Sequence, residues 1–405
     1  MSDIIIIGGG LAAATAVTEL REGGFEGTIT LVAAEDHAPY IRPPLSKGYL
    51  QGSDERDSVF VHPQAWYREH DVELRTGARV ESVDAAARTI TIAGGEQLHY
   101  DKLLLATGAT PRRLDIPGSD ATGIHYLRTL DDSDALRDAL KPGSRRVVIV
   151  GGGWIGLEIA AAARGYGNDV AVVGRENIPL EGPLGAELGH LFQRLHESHE
   201  VRFTLGTTTT GFQVENGAVA GVTTSAGVLP ADLVVVGVGA IPSTELAEAA
   251  GLQVENGILV DASLRTSDPN IFAAGDVANA MYQVLGVHLR NEHWATAIAT
   301  GKVAAAALAG KAAVLDEIPY FYTDQFEIGM EYSGYAPLAK NARVVYRGDP
   351  ASLEFIAFWV LGQRVVAGMN VNVWDVNEAV QELIRSARDV DVLRLADPAI
   401  DLAEV

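Results

Sequence analysis

The sequence predicts an α/β fold in which one strand–turn–helix design occurs twice and an α+β domain follows at the C-terminal end. Three observations carry that expectation. The apolar run Ile4–Ile7 leads into Gly8-Gly9-Gly10 and an alanine-rich stretch. The same order returns at Arg146–Val150, where Gly151-Gly152-Gly153 precedes a second alanine-rich stretch. From residue 319 onward the chain changes to alternating apolar and polar residues, as in EFIAFWVL and RVVAGMNV. A length of 405 residues predicts two or three domains, and an apolar fraction of 47% is enough to give each a core.

The first unit is a strand at Ile4–Ile7, a helix over about Leu11–Glu22 and a strand at Thr28–Ala33. The proline-rich segment Ala38–Leu50 is a loop that enters a short helix. Val72–Leu98 contains short strands with hairpin turns, and a buried strand ends at Ala106-Thr107-Gly108. The second unit opens on Arg146–Val150, continues in a helix over about Gly156–Arg164 and returns in a strand at Asp169–Val173. The strands VRFTLG, AVAGVTT and DLVVVGVGAIP follow, and then GILV and a strand that ends in the Gly-Asp turn of FAAGD. The C-terminal part is mostly antiparallel strands with a final helix near Val376–Ala387.

Composition removes several function classes. A formal net charge of −22 argues against nucleic acid, which needs a concentrated basic face, and against an anionic membrane surface. No segment reaches the roughly 18 uncharged apolar residues of a membrane span, and no signal peptide is visible, so a cytoplasmic location is expected. The chain has no cysteine, which excludes disulfides, thiolate metal sites and cysteine nucleophiles; no metal site is expected.

In the first unit Gly8, Gly10 and Ala13 fit G-x-G-x-x-G/A. Glycines there let the backbone turn tightly and approach a pyrophosphate, which meets the positive end of the following helix. Glu35, 22 residues after Ala13, is placed to accept hydrogen bonds from an adenosine ribose. In the second unit Gly151, Gly153 and Gly156 repeat the motif, so two Rossmann-like dinucleotide-binding domains are expected. The strand-end position there is Gly174, followed by Arg175 and Glu176. An acidic residue favours NAD and an arginine holds a 2′-phosphate, so NADH and NADPH both stay open.

Together the segments RPPLSK, ATGATPR, GGGWIGLE, VGVGAIP, FAAGDVA, RNEHWATA and PYFYTDQ, in that order along essentially the whole chain, resemble the FAD-dependent NAD(P)H:ferredoxin reductases of bacterial oxygenase and P450 systems. Putidaredoxin and rubredoxin reductases are of this kind, and apoptosis-inducing factor is a distant relative. The resemblance implies FAD on residues 1–113 and 243–318, the nicotinamide nucleotide on 114–242 and a C-terminal domain at 319–405. It implies that Arg42, Lys47, Val80, Thr107, Gly108, Arg112, Asp276, Trp294 and Ala295 contact FAD. Ile155 and Gly239 join Arg175 and Glu176 on the nicotinamide nucleotide. It also implies that Lys47 and Glu158 meet beside the flavin, that Trp154 lies over its ring, and that Tyr322 approaches from the neighbouring side.

The expected chemistry is hydride transfer from the nicotinamide to FAD and single-electron transfer onward. With no thiol available, the electrons must leave for an external acceptor; the resemblance implies that this is a [2Fe-2S] ferredoxin, or a rubredoxin, serving a P450 or an oxygenase. Arg290, Lys302, Lys311 and Arg343 are candidate docking cations for such an acidic partner. The competing expectations are a reductase of small acceptors such as quinones or dyes, and an NADH-sensing interaction protein of the apoptosis-inducing-factor kind. The chain is expected as a monomer or a homodimer.

Overall fold

The computed structural model describes residues 2–405, and these fall into two compact units. Among the described residues the first comprises 2–42, 56–110 and 241–319; the second comprises 43–55, 111–240 and 320–405.

In the first unit the strand Asp3–Ile7 lies in a five-stranded sheet between Thr28–Val32 and Lys102–Leu105, paired in parallel with both. Ile4, Ile5, Ile6 and Ile7 are at most 5% exposed, which is why this run is uniformly apolar rather than alternating: a parallel strand is covered on both faces. The helix Leu11–Glu22 follows with the bounds expected from the sequence. It packs closely on the helix Trp294–Leu308, where a Cβ on Gly301 would lie 2.7 Å from Ala12 O. Two three-stranded sheets complete the unit, one from Val80–Asp84, Thr89–Ile92 and Gln97–His99, the other from Ile258–Val260, Ala278–Tyr282 and Val287–Leu289.

The second unit repeats the plan. Arg146–Val150 sits between Asp169–Val173 and Leu233–Val236 in a five-stranded parallel sheet. Its helix runs Trp154–Gly165, beginning two residues before the expected start. Gly153 is the N-cap and is already extended, so Trp154 is free to open the helix despite its bulk. The C-terminal sheet is antiparallel throughout: Tyr320–Gln325, Ile328–Gly334, Arg364–Val371, Glu354–Leu361 and Arg343–Asp349, in that spatial order. The helix Asn377–Ser386 covers it, within the expected range, and a short helix Val392–Ala396 follows that the sequence reading did not anticipate. Tyr332, Phe355, Met369 and Val371 from this sheet share one buried cluster with Ile149, Leu157 and Phe192 of the second glycine-turn domain.

Candidate functional site

Both glycine turns have the same internal division of labour. Gly8 has φ +125, and a Cβ there would lie 2.1 Å from Ala106 O. Gly151 has φ +116, and its Cβ would lie 2.2 Å from Gly237 O. These glycines are required by the protein itself, because left-handed backbone and backbone crowding both exclude a side chain. Gly156 is likewise closed, with a Cβ 2.2 Å from Gly151 O, so the helix can sit tightly on the turn. Gly10 and Gly153 differ: nothing lies within 4 Å of a Cβ at either. They are also the N-caps of 12-residue helices that have no side-chain cap and no acidic residue in the first turn. An open face at an uncapped, positively polarised helix end fits a pyrophosphate.

In the first unit Glu35 receives hydrogen bonds from Tyr40 Oη and, at 3.2 Å, from Arg42 Nη2. Burial works against the Arg42 charge, but Tyr40, Glu35 and Asp276 outweigh it and raise the group above its ordinary value. Three predicted residues, Glu35, Arg42 and Asp276, are thus brought together electrostatically. Asp276 occupies the turn Gly275–Val277, which is fixed by Gly275 N donating to Thr300 Oγ1 at 2.9 Å. Trp294 and Ala295 begin the long helix, whose N-terminus also lacks a side-chain cap. Its N-cap His293 is pushed down to about 4 by loss of water, against the pull of Asp276, and so is neutral at ordinary pH. Thr107 Oγ1 is spent on Ser243 O at 2.7 Å, Gly108 is left-handed at φ +68, and Val80 is a buried strand residue.

In the second unit Glu158 is 3% exposed and receives three donors. Lys47 Nζ lies 2.7 Å from Oε1, Thr323 Oγ1 lies 2.5 Å from the same oxygen, and Ser46 Oγ lies 2.5 Å from Oε2. The Lys47 side chain is 12% exposed, so this is a buried ion pair whose desolvation is offset by the extra hydroxyl donors. Breaking such a pair from one side typically costs about 3–5 kcal/mol. Lys47 Nζ also stands 5.3 Å from the centre of the Tyr322 ring. Burial, Asp324 and Glu158 all raise the Tyr322 hydroxyl above its ordinary range, which keeps it protonated. The loop that carries Lys47 is pinned by Ser133 Oγ on Leu45 O at 2.9 Å, Tyr49 Oη on Asp134 at 2.5 Å and Tyr166 Oη on Leu50 O at 2.8 Å.

Trp154, one helical turn before Glu158, packs edge-on against Phe321 at 5.1 Å and Phe192 at 5.6 Å. Ile155 is exposed beside the glycine turn. Glu176 Oε1 accepts from Gly152 N at 2.8 Å, while Arg175 is exposed. Arg112 is exposed and its backbone N donates to Gly239 O at 2.8 Å.

The family model for pyridine nucleotide-disulphide oxidoreductases matches residues 2–301, and the reductase C-terminal model matches 320–405. The ferredoxin–NAD(+) reductase component of the anthranilate 1,2-dioxygenase system of Burkholderia cepacia is 39% identical over 98% of both chains. Rhodocoxin reductase of Rhodococcus erythropolis is 37% identical over 98% of this chain and 93% of its own. The crystal structure of a covalent putidaredoxin reductase–putidaredoxin complex superposes with a TM-score of 0.95 at 34% identity, over 100% of this chain and 97% of that one. The chain belongs to the pyridine nucleotide-disulphide oxidoreductase family.

Within that family this oxidoreductase has no cysteine, so disulphide chemistry is closed to it. Family members of this kind use FAD and NAD(P)H, and the two open glycine turns fit the two nucleotides. Ser46 and Thr323 are site residues that sequence reasoning missed. The signal for Thr323 is present: in YFYTDQ it alternates with Tyr322, so it faces the opposite side of the strand, toward Glu158. Of the proposed docking cations, Arg290 is paired with Glu292 at 2.7 Å, Lys302 lies 3.8 Å from Glu19, and Lys311 donates to Gly23 O at 3.2 Å. Arg343 is exposed on the C-terminal sheet. Among the described residues no helix is long and apolar enough to cross a membrane, and no cluster of residues suited to a metal ion occurs.

Proposed function

We propose that this oxidoreductase transfers electrons from NADH through FAD to a [2Fe-2S] ferredoxin that serves an oxygenase or a P450, in the cytoplasm where reduced nucleotide is supplied. The ferredoxin–NAD(+) reductase and rhodocoxin reductase relatives support the direction of electron flow. The observation that carries the reading is the buried Lys47–Glu158 pair with its two hydroxyl donors. We assign FAD to residues 1–113 and 243–318, the nicotinamide nucleotide to 114–242, and the C-terminal domain to 319–405.

FAD, when bound, takes two electrons from a reduced nicotinamide and releases them one at a time. The remaining work falls to the chain. Gly10 leaves room for the FAD pyrophosphate and Gly153 for that of the nicotinamide nucleotide, while Gly8, Gly151 and Gly156 let the two turns close. Glu35 supplies a ribose acceptor, with Arg42 and Asp276 beside it. Lys47, oriented by Glu158 and fronted by the Tyr322 ring, is the cation that serves the electron-rich flavin. Trp154 is held on edge by Phe192 and Phe321 and is the aromatic that yields to the nicotinamide.

Glu176 decides between the nucleotides. Its carboxylate stands on the glycine turn at Gly152 N, where it accepts from a ribose hydroxyl and repels a 2′-phosphate. Anaerobic titration of the yellow holoprotein with NADH and with NADPH tests both readings. NADH is expected to bleach the flavin faster, with at least a roughly tenfold advantage in kcat/KM that shrinks in Glu176→Gln. Added ferredoxin is then expected to recover the colour. A wild-type preference for NADPH would remove the role given to Glu176. Bleaching with no electron transfer to ferredoxin would remove the proposed acceptor.

A further inference from the structure

Hydrogen bonding continues behind Glu158. Thr323 Oγ1, which donates to Glu158, lies 3.1 Å from Gln325 Nε2, and Gln325 Oε1 lies 2.8 Å from His196 Nε2. All four residues are at most 3% exposed. Three elements supply them in register. The helix Trp154–Gly165 presents Trp154 and Glu158 four residues apart. The helix Ala186–Ser198 presents Phe192 and His196 with the same spacing. The strand Tyr320–Gln325 presents Phe321, Thr323 and Gln325 on one face. Each therefore contributes an aromatic ring to one layer and a polar group to the next. The rings touch through Trp154, and the polar groups join in a line.

The line has one direction. A carboxylate only accepts, so Thr323 must donate to it. A hydroxyl has one proton, so Thr323 must then accept, and Gln325 must turn its amide N–H₂ toward it. The Gln325 oxygen is left facing the imidazole, which must hold its proton on Nε2. The other ring nitrogen agrees: His196 Nδ1 has no hydrogen-bond partner among the described residues. Around the ring stand Phe326 at 5.0 Å and Phe203 at 6.2 Å, where an N–H would be buried and unsatisfied. Burial also pushes His196 down to about 4, with Gln325 and Glu327 pulling it up and His199 pulling it down.

We infer that His196, Gln325 and Thr323 are positioning residues for the Lys47–Glu158 pair: a buried, one-way hydrogen-bond chain that fixes the Glu158 carboxylate, and through it the Lys47 ammonium. The inference rests on the role given above to that pair only for its kinetic consequence. The chain orients and does not conduct, because an amide passes no proton without changing to its imidic form. Cooperative polarisation along such a line strengthens its last bond, the one to Glu158.

Nitrogen NMR of holoprotein labelled at histidine tests the chain without any substitution. His196 is expected neutral with its proton on Nε2 across neutral pH, and Glu158→Gln, two side chains away from Gln325, is expected to move its Nε2 resonance. A proton on Nδ1, a charged ring at neutral pH, or a resonance indifferent to Glu158→Gln would overturn the inference. Flavin reduction then reads the consequence. Gln325→Leu, with FAD content intact, is expected to slow reduction about tenfold with KM for NADH unchanged. In a Glu158→Gln background the same substitution is expected to add almost nothing. Equal effects in both backgrounds would show that Gln325 does not act through Glu158. If Glu158→Gln alone left reduction untouched, the role of the Lys47–Glu158 pair would fail, while the NMR result would still decide the chain.

Discussion

Replacing Gly153 and Gly151 by alanine separates a glycine that the fold needs from one that the ligand needs. At Gly151, φ is +116 and the new Cβ would lie 2.2 Å from Gly237 O and 2.8 Å from Gly237 C. Left-handed backbone costs about 1–2 kcal/mol for a residue with a Cβ, and overlap in a packed interior costs about 1–3 more. Gly151→Ala should therefore lose about 2–5 kcal/mol, which lowers Tm by about 5–15 °C for a domain of this size. At Gly153, φ is −82 and ψ is −179, an ordinary extended conformation, and no atom lies within 4 Å of the Cβ. Alanine gains about 0.4–1 kcal/mol by restricting the unfolded chain and loses a comparable amount as a poorer N-cap. Its Tm should stay within about 2 °C of the parent. The methyl group would nevertheless occupy the space at the helix end that a pyrophosphate needs. A Kd for NADH raised at least tenfold, about 1.4 kcal/mol, is expected with FAD content unchanged. Thermal unfolding and equilibrium titration of both variants give the numbers. Unchanged NADH affinity in Gly153→Ala would refute the reasoning, and so would a Tm loss equal to that of Gly151→Ala.

Four further outcomes follow from the same geometry. Lys47→Met leaves Glu158 buried at 3% exposure without its cation, and should cost about 3–5 kcal/mol in urea unfolding; a loss below about 1 kcal/mol would mean the hydroxyl donors suffice. His196 titrates near 4 when folded and near 6.5 when unfolded, so its contribution is complete above about pH 6.5 and disappears as pH falls toward 4. Linkage sets that contribution at about 3 kcal/mol or less. His196→Leu should flatten the acid limb of stability against pH, and an unchanged slope would contradict the assignment. Asp232 is held down to about 2 by the Arg146 side chain and backbone, so Asp232→Asn should destabilise modestly at pH 7, with the effect shrinking below about pH 4 and lost as pH falls through about 2. Because both side chains are more than 40% exposed, the effect should stay below about 1 kcal/mol. Finally, thiol-alkylating reagents should leave ferredoxin reduction intact, since the chain has no cysteine; inhibition would require an acceptor-side thiol.

The sequence by itself determined the strand–turn–helix repeats, because their signals are local. Gly8 and Gly151 mark left-handed turns, the isoleucine and valine runs mark strands covered on both faces, and the absence of cysteine closed the disulphide route. It also marked Lys47 and Glu158, although they stand 111 residues apart, through a family resemblance rather than through any spacing. Tertiary structure alone decided what surrounds them. Ser46, Thr323, Gln325 and His196 come from a loop, a strand and a helix, and nothing in a one-dimensional pattern says that a polar residue at an inward position has found a partner rather than been left without one. It also decided which side chain each glycine motif tolerates and where the Glu176 carboxylate turns. Such questions depend on distances between segments far apart in the chain, and only packing sets those distances.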